Sequence, residues 1–168
     1  MSAALQNRHH ERLRQYWESL RAGRAFPRES EIDPDELDAL WPSCFLISLD
    51  DVTRRIGYRY SYLGSELIEA YGEDMNNPDV VMRLVSSAAA PMVKRFNEVV
   101  EAKAPVIDES EFVNARHLHI RYRTCMLPLG ENGKVTHILG CMRWRAFPCD
   151  TSHQDDRSDV HVQHANAL

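Results

Sequence analysis

From Arg116 to Phe147 polar and apolar residues alternate in steps of two on both sides of a short polar break. Leu118, Ile120, Tyr122, Thr124 and Met126 alternate with His117, His119, Arg121, Arg123 and Cys125, the period of a strand with one packed face and one wet face. Asn132-Gly133, inside the break at 130–134, supplies the left-handed residues that a tight reversal needs. The pattern predicts a long antiparallel hairpin. Upstream the period lengthens. Leu13, Tyr16, Trp17 and Leu20 stand at i, i+3, i+4 and i+7 and predict an amphipathic helix over 5–22, ended by Gly23. Asp33-Pro34 opens a short helix through 40 that Pro42 stops. Residues 44–49 and 56–62 read as two strands of a second hairpin, and 65–71 as a short helix capped by Ser65 and stopped by Gly72. Beyond Asn77-Pro78, the residues Val81, Leu84, Val85, Ala88, Met92, Phe96 and Val99 keep helical spacing, with Pro91 either kinking one helix or opening a second. Residues 106–113 form an edge strand, where Asp108, Glu109 and Glu111 oppose edge-to-edge pairing.

This order predicts an α+β domain, a five-stranded antiparallel sheet with helices on one face, preceded by an N-terminal amphipathic helix. The chain divides into a helix and linker over 1–28, the domain over 29–147, and a polar tail over 148–168 expected to be disordered. A length of 168 residues supports one core without staples. With 20 basic and 25 acidic residues the formal charge is -5, which gives no overall footprint for nucleic acid. Charge is nevertheless blocked: six arginines lie between Arg8 and Arg28, and all six charges from Glu29 to Asp38 are acidic. Such blocks pair with each other, pair across a dimer, or form solvated faces. Cys44, Cys125, Cys141 and Cys149 contain no Cys-x-x-Cys pair, which fits a reducing compartment. No apolar stretch nears the roughly 20 residues of a membrane span, and the N-terminus lacks an apolar signal core. The expected location is the cytoplasm.

Several fragments, taken in order, carry a resemblance. They are Tyr16-Trp17-Glu18-Ser19-Leu20-Arg21 with Gly23-Arg24 and Pro27, Ile32-Asp33-Pro34, Tyr58-Arg59-Tyr60-Ser61-Tyr62-Leu63-Gly64-Ser65 with Tyr71-Gly72, and Met126-Leu127-Pro128-Leu129 with Gly133 and Ile138-Leu139-Gly140. Together they resemble the bacterial PAS_5 family, small proteins with one PAS-like domain behind a helix. The resemblance covers about 16–147 and implies the sheet-and-helix fold, a part in sensing or signalling, and dimerisation through the leading helix. Ser61 stands where a second arginine is expected, and Asn76-Asn77 where the pattern has Thr-Gly. The ligand therefore does not carry over.

The candidate chemistry is sparse. His117 and His119 stand two apart on one predicted strand face, a spacing used by metal ligands or by one ligand to haem iron, but no third donor sits at a diagnostic spacing. No nucleophile frame and no phosphate-binding glycine loop occurs. The reading assigns no catalytic residue, no metal and no required cofactor. The aromatic stripe Tyr58, Tyr60 and Tyr62, with Met82, Val85, Met92, Phe96, Tyr122, Met126 and Trp144, is the candidate ligand pocket, and a simply filled core gives the same spacing. Leu13, Tyr16, Trp17 and Leu20 must be buried either on the chain's own sheet or on a second copy. The resulting expectation is a non-catalytic sensory module with a small ligand, a protein partner or a homodimer. A constitutive interaction module and a small-molecule enzyme with a cone-shaped cavity are the alternatives.

Overall fold

A computed structural model of the chain describes residues 3–52, 55–72 and 91–148. In chain order its elements are α1 (Ala3–Arg21), α2 (Pro34–Leu37), β1 (Cys44–Val52), β2 (Arg55–Leu63), α3 (Ser65–Tyr71), α4 (Pro91–Ala102), β3 (Val106–Val113), β4 (Leu118–Glu131) and β5 (Lys134–Pro148). Short 3-10 turns occupy Glu29–Glu31 and Asp38–Ser43. The five strands form one antiparallel sheet in the order β2-β1-β5-β4-β3.

The hairpin expected from the alternating pattern is β4 and β5, and its turn needs only two residues. Asn132 and Gly133 have φ of 52° and 73°, the paired left-handed conformation that matches strand twist. At its other end β4 starts two residues later than expected, at Leu118. His117 has a φ of 59° and lies in the β3–β4 connection, so it does not share a strand face with His119. At α2 the expected cap is present: the Asp33 side chain accepts from the Asp35 N–H. At α3 the cap is Gly64 rather than Ser65, which sits inside the first turn, and Gly72 ends the helix with a φ of 67°. Pro91 is the first residue of α4, where its missing N–H costs nothing. The helix expected over 77–90 lies outside the described residues.

The sheet is covered on both faces along its middle. On the inner face, α3 and α4 bring Leu67, Ala70, Phe96 and Val99 against Phe45, Ile47, Ile120, Tyr122, Met126, Ile138 and Met142. On the outer face, α1, α2 and the following turn bring Leu13, Trp17, Leu37 and Leu40 against Cys44, Leu46, Cys125, Leu127, Leu129, Leu139 and Cys141. The leading helix thus meets its own sheet, which explains why the second face of β4 is wet only at its start: Arg121 is exposed, whereas Cys125, Leu127 and Leu129 are buried. The Trp17 indole N–H donates to Pro128 O over 2.8 Å and fixes the helix along the strand.

Candidate functional site

The inner-face cluster collects the aromatic and hydroxyl groups that the sequence offered for a pocket, with one exception. Tyr58 and Tyr60 both face α4: the Tyr58 ring lies 5.2 Å from that of Phe96, and Tyr60 meets Phe45 edge-on at 6.2 Å. Tyr62 belongs to the other face. The register between β1 and β2 slips between Leu46 and Ile47, which pair with Tyr62 and Tyr60, so that Ser61 is an extra residue on β2. A bulge of this kind reverses the alternation beyond it. Tyr62 accordingly stacks on Trp41 at 4.1 Å and donates to Trp41 O over 3.0 Å beneath the outer helices.

Met92, Phe96, Tyr122 and Met126 join Tyr58 and Tyr60, and Trp144 packs at the margin, where its indole N–H donates to Glu66 O over 2.9 Å. Met82 and Val85 lie outside the described residues. Two members were not anticipated for the pocket. Tyr71, the last residue of α3, shares a side-chain hydrogen bond with Tyr60 and packs on Phe112 at 5.3 Å. Phe112, on β3, also meets Tyr122 at 5.8 Å. Their signal lay in the sequence as period alone: Leu67, Ala70 and Tyr71 share a helix face, and Phe112 follows the inward positions Asp108 and Ser110. Asn114 holds this end together. Its side-chain N–H donates to Ala70 O over 3.0 Å, while its oxygen accepts from the Arg116 and Leu118 amides at 2.9 and 3.0 Å.

The electrostatics of the cluster are those of neutral hydrogen-bonding groups. Burial pushes the Tyr60 hydroxyl well above its ordinary range, with the neighbouring Tyr71 adding to the effect. Burial raises Tyr71 and Tyr122 as well, and pushes Tyr58 up to about 12. At neutral pH these phenols are protonated and can both donate and accept hydrogen bonds. Tyr58 donates to Asn97 Oδ1, and Tyr122 reaches the Met92 sulfur at 3.8 Å, a weak acceptor. The polar groups are therefore few and directed, and they are set among packed apolar side chains.

Other candidate groups do not converge on this cluster. His119 lies 3.3 Å from Glu111 on the opposite side of the sheet. Among the described residues no group of three His, Cys, Asp or Glu side chains is arranged to hold a metal ion. Cys44, Cys141 and Cys125 are register neighbours across β1, β5 and β4 on the outer face, and all three are free thiols. Burial pushes Cys44 up to about 12 and Cys125 up to about 11, so both are held as thiols rather than thiolates. Of the four α1 residues considered for a dimer, Leu13 and Trp17 are 0% and 4% exposed within the single chain. Tyr16 and Leu20 are half-buried, and the Tyr16 hydroxyl accepts from the Asp33 N–H over 2.8 Å. Among the described residues no helix is long and apolar enough to cross a membrane.

The sequence matches one known family, and several solved structures are distantly similar. The model of the PAS_5 family, described as a PAS domain, matches residues 5–143. No curated protein matches the sequence. Among solved structures, the light-state structure of the blue-light photoreceptor Aureochrome1 LOV is similar at 8% identity, with a TM-score of 0.44 over 65% of this chain and 85% of that one. A PAS domain from Colwellia psychrerythraea is similar at 16% identity, with a TM-score of 0.41 over 65% of this chain and 92% of that one. The Rhodobacter sphaeroides LOV protein gives 10% identity and a TM-score of 0.40, over 73% of this chain and 71% of that one.

Proposed function

Because the chain belongs to the PAS_5 family of PAS domains, and PAS domains are in general sensory signalling modules, we propose that it is a non-catalytic sensor that takes a small ligand between the sheet and α3 and α4. The observation that carries the reading is the linked pair Tyr60 and Tyr71, two neutral hydroxyls set in an aromatic and methionine interior. A core selected for packing alone would favour phenylalanine at such positions, since a buried hydroxyl without a good partner destabilises. A flat, largely apolar ligand with one or two polar atoms fits this chemistry, and Met92 and Met126 let the walls adapt to it. The signal leaves through a protein contact, either a second copy or another partner, on the helical outer face. The three adjacent thiols in free form support residence in the cytoplasm.

The test is native mass spectrometry and absorption spectroscopy of the full chain as purified, followed by a screen of small aromatic compounds by thermal shift. A co-purified or screened ligand should bind the natural protein and lose about tenfold in affinity in the Tyr60→Phe variant, the effect of one lost hydrogen bond of about 1.4 kcal/mol. Equal affinity in both proteins removes the pair from the site. Failure of every compound to bind favours the constitutive module with a filled core.

A further inference from the structure

The outer face carries an arrangement that ligand binding in the interior does not require. Arg121 lies opposite Arg145, and Arg123 opposite Arg143, in the register of β4 and β5. All four share a face with Cys125 and Cys141, just beyond the part of the sheet that α1 covers. Like charges directly across strands oppose pairing. Glu111, Glu109 and Glu66 reach Arg121, Arg123 and Arg143 at 3.4, 3.3 and 2.9 Å, while Arg145 makes no ion pair among the described residues. Together with Glu109, Glu111 and Phe147 the four arginines line an open cleft of about 580 Å³.

The complementary charge is on the same molecule. Asp33, Asp35, Glu36 and Asp38 are exposed and make no ion pair among the described residues. The nearby basic residues are already engaged: Arg21 with Glu18, Arg24 with Glu31 at 2.8 Å, and Arg28 with Glu131 at 3.4 Å. The helix α1 separates the two patches. Its first turns carry His9 and His10, which feel the charges of Arg143 and Arg123, and further along it Tyr16 accepts from the Asp33 amide. The basic and acidic patches therefore lie at opposite ends of one face and do not reach each other within one chain.

We infer that the arginine square receives the acidic segment at 33–38 of a second copy of this chain. A two-fold axis in the plane of contact and across the strands places the acidic end of each copy over the basic end of the other. The same contact then forms twice and the assembly closes at two. The raised turn at α2 meets a recess in the uncovered sheet. The overall charge of -5 disfavours a phosphate backbone, and the acidic segment of a second copy is the anionic group that this chain itself supplies.

The contact takes from the proposed function only that the chain associates with itself, so it is tested without regard to the ligand. The mass of the full chain in solution is measured by sedimentation at about 0.1 M and about 1 M salt, between which the screening length falls from about 10 Å to about 3 Å. The expected result is a dimer at low salt that becomes a monomer at high salt. The double variant Arg121→Glu and Arg145→Glu reverses the charge at one end of the square and sets a second carboxylate beside Glu111, so a melting curve checks that its fold is retained. It should be monomeric, as should Asp35→Lys with Glu36→Lys. An equimolar mixture of the two double variants should restore association. A monomer of the natural chain at low salt overturns the inference, and so does a dimer indifferent to salt and to both variants. Variants that change binding of a single-stranded RNA probe but not the mass also overturn it, by making the square a nucleic-acid site.

Discussion

His10 shows how much one side chain depends on where the leading helix lies. It is 5% exposed, and burial together with the charge of Arg123 lowers its pKa to about 4. The folded protein therefore holds this imidazole neutral, while the unfolded chain takes up a proton near pH 6.5. Its contribution to stability is fully present above about pH 6.5 and falls away as pH drops toward 4, by at most about 3 kcal/mol. Denaturant unfolding at pH 7 and pH 4.5 should show a smaller acid loss in His10→Leu than in the natural chain; equal losses would refute the assignment. Gly140 makes a second point at this scale. A Cβ there would stand 2.1 Å from the Phe45 ring, which is fully buried beside it. Gly140→Ala should cost about 1–3 kcal/mol in chemical denaturation, the range for an overpacked core. The sequence displayed Gly140 only as an isolated glycine in a strand, since the ring that occupies its space comes from residue 45. Tyr62 was misplaced for a related reason: period two is read along one strand, and the extra residue at Ser61 is defined only against β1.

At the scale of elements, the hairpin of β4 and β5 and the spans of α3 and β3 followed from period and turn chemistry alone, because each is a local pattern with its own stops. The seat of α1 did not. An apolar stripe states that something covers it, and only the buried outer halves of Leu127, Leu129 and Leu139 identify the cover as the chain's own sheet. This changes what removal of the helix does. Deletion of residues 1–23 should expose that row and yield an unfolded or aggregating product, visible by circular dichroism, instead of a folded monomer. The single substitution Leu13→Ala should cost about 2–5 kcal/mol, and Trp17→Phe about 1–3 kcal/mol by leaving Pro128 O without its donor. A folded domain lacking 1–23, with unchanged melting temperature, would contradict the docking.

For the whole molecule, one sheet serves as the shared wall of two cores, since β1, β4 and β5 alternate residues between them. Loss of either layer strips a face of the same strands, so the two should unfold together. The buried cysteines on the outer side can report this. Cys44, Cys125 and Cys141 react with a thiol reagent only when the outer layer opens. A ligand bound on the inner side at about 100 times its Kd should slow their modification by about a hundredfold where opening is global, following the linkage between binding and stability. Unchanged labelling would mean that the layers open separately. The slip at Ser61 gives β2 a further property. It sets Tyr60 against the interior and Tyr62 against Trp41 on the far side, so the strand works as a short crossbar through the sheet. A compound that displaces Tyr60 should therefore also disturb the stack of Tyr62 on Trp41, an expected change in tryptophan fluorescence that Trp41→Phe should abolish.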